Sequence, residues 1–347
     1  MKILHIVWGM ENGGAENMLA DIINTQVCTD DVSLLVINDM LDSSILERIN
    51  KKCKFIFLRR KVKSKNFKSI WTILKMNLIV LFGRYDIIHL HQGTTIEKLF
   101  VPANYVRTVH NTNQDKHNYR WHKAIIAISE SVKKELDSLG YKNSILVNNG
   151  INFELIKTRD NYMPSDTFKI VQVSRILYRQ KGQDILLAAL ADIVKSGISH
   201  IHLDFIGEGP DFEDLKYKID KYNLTPFVSL LGNRSREYIY NNLAQYDLFV
   251  QPSRFEGFGL TVVEAMAAKI PVLVSQNEGP LQIIDNGEYG YDFPNGNVKA
   301  LAGRIVSIMR DYPKSTYLNN AYNYAKNTYS VENTAKAYLK IYKNILN

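Results

Sequence analysis

Short apolar runs alternate with longer stretches of helical period along the whole chain, and this rhythm constrains the fold more than any single motif. In the first half the runs are KILHIVW (2–8), VSLLVIN (32–38), KFIFL (54–58), DIIHLH (86–91), YVRTVH (105–110), AIIAIS (124–129) and SILVNN (144–149), each closed by a turn or cap signal. A polar, proline-containing break, KTRDNYMPSDTFK (157–169), interrupts them. The rhythm resumes with KIVQVS (169–174), HIHLDFIG (200–207), VSLLG (228–232), LFVQPS (248–253), PVLVS (271–275) and YDF (291–293). Amphipathic helices lie between, such as QDILLAALADIVKSG (183–197), ended by a glycine at C′. Strands separated by helices need crossover connections, which build a mostly parallel sheet. At 347 residues the chain exceeds the usual size of one hydrophobic core. The expected fold class is α/β, with two Rossmann-like doubly wound domains facing a central cleft, at 1–163 and 164–329. Residues 330–347, SVENTAKAYLKIYKNILN, read as a terminal helix capped at Ser330, with Glu332 nearby, that packs back on the first domain.

Hydrophobic residues make up 46% and charged residues 22%, a composition that packs into layers and excludes a disordered chain. No run of about 18 apolar residues occurs, so no spanning helix is expected. The opening MKILHIVWGMENGG is too short for a secretory signal, and Cys28 and Cys53 have neither metal-ligand spacing nor a disulfide framework. A cytoplasmic protein with reduced thiols is the expectation. The net charge of +8 sits almost wholly in the first half, and residues 51–68, KKCKFIFLRRKVKSKNFK, carry nine Lys or Arg and no acid. The apolar stretch SIWTILKMNLIVLFG follows. Either this pair docks peripherally on an anionic membrane, on its inner face, or 69–82 is a buried helix and the lysines are a solvated face. Nucleic acid is not an expected partner, because the charge forms one short segment instead of a face with stacking aromatics.

In open α/β sheets ligands bind outside the carboxyl ends of the strands, so the loops after these runs are where chemistry belongs. After the first strand, Gly13 and Gly14 open a helix, either as a turn or as a seat where free amides meet an anion. The string is not G-x-G-x-x-G, which occurs nowhere in the chain. SRILYRQKG holds Arg175 and Lys181 in one loop, either as a solvated turn or as two cations that neutralise a departing diphosphate. No D-x-D is present, so neither a metal nor a further cofactor is expected to hold such a group. FIGEGP with Gly207 and LLGNRS with Asn233 and Arg234 end two further strands, either as turns or as brackets for a donor nucleobase. The most informative loop is RFEGFGLTVVEAMA (254–267), where Glu256 and Glu264 flank a glycine turn that leads into a helix. Its first amides suit phosphate oxygens, and Glu264 lies about one turn in, where a carboxylate can accept from ribose hydroxyls. Glu256 would then face the group beyond the diphosphate.

Taken together, GGAE (13–16), YDIIHLH (85–91), TVHN (108–111), NNGIN (148–152), SRILYRQKG (174–182), IGEGP (206–210) and the E-x7-E stretch closely resemble the retaining glycosyltransferases of family four, which have the GT-B fold. The resemblance covers nearly the whole chain. It implies a metal-independent transferase that moves a sugar from a nucleotide-sugar, a UDP-sugar being the expected donor, to a saccharide or lipid-linked saccharide in surface polysaccharide assembly, capsule or lipopolysaccharide. Arg175 and Lys181 match the family's diphosphate-binding pair, Glu264 its ribose ligand and Glu256 the carboxylate on the donor sugar. The amides of Phe258, Gly259 and Leu260 match its phosphate cradle, and Gly257 beside them is a further donor-binding candidate. His110 matches a histidine that many members place near the sugar and the reacting carbon. One departure is NEGPLQII, with Pro280 and Gln282, where members often have a glycine pair and then a glutamate; it leaves the sugar unnamed. The alternatives are a nucleotide-sugar epimerase or phosphorylase on the same fold and, in a different class, a basic nucleic-acid-binding protein.

Overall fold

The strand runs are apolar at successive positions, which suits sheets covered on both faces. The computed structural model has two such sheets and describes all residues except 12, 62–69, 92, 111–120 and 277. It divides into a first unit, Met1–Ile151 with Tyr329–Asn347, and a second, Asn152–Thr328.

The first unit holds β1 (Lys2–Val7), β2 (Asp31–Asn38), β3 (Lys54–Arg60), β4 (Ile87–Leu90), β5 (Tyr105–Val109), β6 (His122–Ala127) and β7 (Ile145–Leu146). They pair in the parallel order β3-β2-β1-β4-β5-β6-β7. Helices α1 (Gly14–Gln26), α2 (Ser43–Arg48), α3 (Ile70–Gly83) and α4 (Glu130–Ser138) connect them. The C-terminal helix Val331–Leu346 buries Val331, Ala335, Tyr338 and Tyr342 against Ile3, Met18, Ile22 and Ile126. Its entry is pinned by backbone bonds from Ile151 N to Tyr329 O and from Val331 N to Ile151 O, each 2.9 Å. This bridge explains two departures from expectation. Ser330 stands at the N-cap with extended backbone, but its side chain makes no cap hydrogen bond. The run SILVNN is a strand only at Ile145–Leu146, because the chain then turns to the C-terminal helix, where Asn148 O accepts from Thr334 Oγ1 at 2.9 Å.

The second unit holds β8 (Phe168–Val173), β9 (Ile201–Ile206), β10 (Val228–Gly232), β11 (Leu248–Gln251), β12 (Val272–Ser275) and β13 (Tyr291–Phe293). Their parallel order is β10-β9-β8-β11-β12-β13. Helices α5 (Tyr178–Lys181), α6 (Gln183–Lys195), α7 (Phe212–Lys221), α8 (Arg236–Asn242), α9 (Leu260–Ala267), α10 (Glu278–Ile283), α11 (Val298–Arg310) and α12 (Ser315–Tyr329) complete it. The core gathers Leu186, Leu190, Phe205, Leu248 and Leu301. The division falls after Ile151, not at 163/164, and buried polar bonds give the reason. Arg159 Nη2 donates to Asp247 Oδ1 at 2.7 Å, Arg159 N to Ala268 O at 2.9 Å and Lys157 N to Tyr240 O at 3.1 Å, so the linking segment belongs to the second unit.

In both sheets the strand order reverses beside the first strand, between β1 and β4 and between β8 and β11. Crossovers there leave on opposite faces and open a crevice at the strand ends.

Candidate active site

The loops after β8 and β11 leave the second sheet side by side at its reversal point. Arg254 fastens them together: its guanidinium takes Asp184 in a two-pronged pair, 2.8 Å at each oxygen, and donates to Tyr178 O at 2.6 Å. Gly182, at φ +69°, lets the loops approach, since a Cβ there would lie 2.0 Å from Pro252 O. Only glycine meets both conditions.

Within this frame Lys181 Nζ lies 2.5 Å from Glu256 Oε2, with both side chains largely shielded from solvent. Gln251 Nε2 and Ser253 Oγ donate to the same oxygen at 3.2 and 3.4 Å. Two groups expected to serve different parts of a donor are thus held against each other. A diphosphate would compete with Glu256 for the ammonium. Arg175 is exposed, and its guanidinium has no partner among the described residues; it is a cation without a fixed counterion.

Gly257, Phe258 and Gly259 form the turn into α9. Gly259 has φ +107° and offers no side-chain cap; Val262 N donates to Gly259 O at 2.9 Å, and the helix starts at Leu260 without a capping side chain. Phe258 is buried, and Gly279 of α10 supports the turn from below: a Cβ there would lie 2.5 Å from Glu256 O and 2.9 Å from Phe258 O. Glu264, half-buried on α9, accepts from Tyr240 OH at 3.1 Å, and Arg236 Nε donates to that hydroxyl at 2.6 Å. Sequence reasoning missed Tyr240, Arg236, Arg254 and Gly279, which carry no recognisable spacing relative to the loops they support.

Three expected donor residues lie after β9 and β10. Gly207, at φ +137°, has Ser174 O 2.0 Å from its Cβ position, so glycine is needed there for packing against the loop after β8. Asn233 and Arg234 are exposed; Asn233 N faces Glu208 Oε1 at 3.5 Å, and Arg234 lies over the Tyr238 ring at 5.1 Å.

In the first unit, Gly13 is the N-cap of α1 and Gly14 its first residue. Gly13 N donates to Glu11 O at 2.8 Å, and Glu16 folds back so that its Oε2 lies 2.3 Å from the Cβ position of Gly13. Burial pushes the Glu16 carboxyl up from its ordinary value. An anion at this helix start would meet the Glu16 carboxylate. His110, just beyond β5, is half-buried, and burial together with Arg107 pushes its imidazole down to about 4. Its Nε2 lies 3.3 Å from His91 Nδ1. Of the TVHN string, Asn111 lies outside the described residues.

Residues 156–328 match the family model of the glycosyl transferases group 1. An uncharacterized glycosyltransferase of Methanocaldococcus jannaschii is 27% identical over 251 residues, covering 72% of this chain and 65% of that protein. The capsular polysaccharide biosynthesis glycosyltransferase CapM of Staphylococcus aureus is 33% identical over 54% of this chain and 52% of its own length. The matches thus span about half to two thirds of these two relatives. The crystal structure of Anabaena HepE in complex with UDP and glucose superposes with a TM-score of 0.80 at 21% identity, covering 98% of each chain, a likeness of fold. By the match over its second unit the chain belongs to the group 1 glycosyltransferases, and its two Rossmann-like units have the GT-B fold.

Proposed function

We propose that the protein is a retaining, metal-independent glycosyltransferase of the hexosyl type, which moves a sugar from a UDP-sugar to a saccharide or lipid-linked saccharide during assembly of a surface polysaccharide such as capsule or lipopolysaccharide. The observation that carries this reading is the pairing of Lys181 with Glu256 beside the uncapped start of α9, at the reversal point of the second sheet. Cations and open amides there suit a diphosphate, and Glu264 stands on the same helix for the ribose. Arg175 and Lys181 stabilise the leaving diphosphate, and Glu256, freed from Lys181, turns to the donor sugar. His110 serves the reacting end, as the resemblance implies. CapM is named for capsular polysaccharide biosynthesis and HepE was solved with UDP and glucose, which favours this donor and product class.

The acceptor is proposed to be reached at an anionic membrane surface. One face of α3 exposes Ile70, Trp71, Leu74, Leu78, Leu81 and Phe82, with Trp71 at 76% and Phe82 at 75%, while Thr72, Met76, Asn77 and Val80 are buried on the other. Lys51, Lys52, Arg59 and Lys61 are exposed on the segment before it. Cations beside an apolar helix face suit acidic lipid headgroups. The rest of the basic segment, 62–68, lies outside the described residues. No helix among the described residues is long and apolar enough to cross a membrane.

Thermal-shift titration with UDP, GDP, ADP and a panel of nucleotide-sugars tests the donor site. A saturable shift with UDP that is lost in Glu264→Ala is expected, and no shift with any nucleotide would end the reading. Release of UDP only when an acceptor is added, and unchanged in EDTA, separates a metal-independent transferase from an epimerase or a phosphorylase.

A further inference from the structure

Inside the first unit three imidazoles form an unbroken hydrogen-bonded chain, and a fourth stacks on it. Gln26 Oε1 lies 2.8 Å from His5 Nε2, His5 Nδ1 lies 3.1 Å from His91 Nε2, and His91 Nδ1 lies 3.3 Å from His110 Nε2. His89 stacks on His91 with centroids 4.4 Å apart and spans from Tyr342 OH at 2.5 Å to Thr108 Oγ1 at 2.7 Å. The sheet order makes this possible, because β1, β4 and β5 are neighbours and His5 stands opposite His89 in register.

His5, His89 and His91 bring ligand nitrogens within 4.8 Å of one another, a spacing a zinc ion accepts. All six of their ring nitrogens already have a protein partner, however. A metal would have to break those bonds in a fully buried place, so the cluster is better described as a closed polar network.

The chain has a direction. Burial holds His5 and His110 down to about 4, and His89 and His91 well below their ordinary value, so all four rings are neutral near pH 7. A neutral imidazole has one N–H and one lone pair. The amide oxygen of Gln26 can only accept, which puts the hydrogen of His5 on Nε2 and leaves its Nδ1 to accept. His91 Nε2 must then donate to His5, and His110 Nε2 to His91. The lone pair of His110 is left on Nδ1, which is shielded from solvent and has no hydrogen-bond partner among the described residues. Gln26 Nε2 is the unpaired atom at one end of the chain and His110 Nδ1 at the other, and a buried acceptor left unsatisfied calls for a ligand.

We propose that Gln26, His5 and His91 are positioning residues that lock His110 in its Nε2–H tautomer, so that its Nδ1 lone pair accepts a hydrogen bond from a hydroxyl of the bound sugar. The opposite tautomer would present an N–H to an acceptor such as a phosphate oxygen, whereas the lone pair requires a donor, which a sugar hydroxyl supplies. The identity of that hydroxyl rests on the transferase reading; the tautomer does not.

The test uses the full chain labelled with 15N-histidine and long-range 1H–15N correlation spectra at pH 7, with His110 assigned by its loss in His110→Gln. The wild type is expected to show His110 protonated on Nε2 alone. Gln26→Leu, which removes the accepting oxygen, is expected to give a mixture of tautomers and to lower kcat about tenfold, with KM for the UDP-sugar within about twofold. An Nδ1–H signal for wild-type His110 would overturn the proposal, and so would an unchanged tautomer in folded Gln26→Leu. If Gln26→Leu does not fold, His91→Phe cuts the chain next to His110 and is read in the same way. Should no transferase activity be found, the spectra still decide the tautomer, so the two readings fail separately.

Discussion

Arg175 and Lys181 occupy one loop, yet their surroundings differ, and the difference separates their roles. Lys181 is held by Glu256, whereas the Arg175 guanidinium is exposed and has no partner among the described residues. A free cation at a loop end contributes most when charge develops on a leaving group and little to the resting structure. Arg175→Ala should therefore lower kcat by about a hundredfold or more while changing UDP affinity by less than tenfold and leaving the melting temperature in place. Steady-state kinetics beside calorimetric titration of UDP checks this, and an unchanged kcat would remove Arg175 from the chemistry. Lys181→Ala differs in kind, because it leaves the shielded Glu256 carboxylate with only Gln251 and Ser253 as donors.

The elements were largely legible from the sequence, because parallel strands buried on both faces show as continuous apolar runs and the runs of the second unit fall within a residue or two of their observed bounds. Gly197, at φ +96° just after α6, likewise stands where a glycine at C′ was expected. What the sequence could not display depends on which strands become neighbours. Nothing in HIV and HLH states that β1 will lie beside β4, so the contact of His5 with His91 was invisible, although two histidines two residues apart in a strand must share a face. The fold-back of Glu16 onto Gly13 and the support of Glu264 by Tyr240 were hidden for the same reason, since side-chain direction is set by packing. The strand expected at 144–149 was overread because apolar content alone does not say where a chain must leave a sheet. Helix α3 shows the reverse case: periodicity places Trp71, Leu74, Leu78 and Phe82 on one face, and only the fold shows that this face is left uncovered. Trp71→Ser with Phe82→Ser should cut flotation with anionic vesicles severalfold and shift stability by no more than about 0.5 kcal/mol each, since the side chains are exposed. Undiminished, salt-insensitive flotation would show that α3 does not dock on lipid.

At the scale of the whole molecule, the buried histidines tie the first unit to pH. Folding lowers His5 and His110 from 6.5 to about 4, so between those values the unfolded chain binds more protons than the folded one. Stability is then complete above about pH 6.5 and is lost as the pH falls towards 4, by up to about 1.4 kcal/mol per pH unit for each such histidine. The melting temperature should decline between pH 6.5 and 5, above the usual carboxylate range, and differential scanning calorimetry across that interval measures it. A flat profile there would mean that the imidazoles take up protons in the folded state without penalty.

The C-terminal helix that closes this unit also sets an order of events during synthesis. Residues 1–151 leave the ribosome first, but Tyr338 and Tyr342, which cover Ile3, Ile126 and His89, follow only after the whole second unit has been made. At translation speeds of about 5 to 20 residues per second that interval lasts roughly ten to thirty seconds. During it the nascent first unit exposes an apolar sheet face and an imidazole without its tyrosine, while the second unit already has every strand of its own sheet. The later-born half is thus free to finish first, and the earlier-born half waits, open to chaperones, for the last turns of helix to arrive.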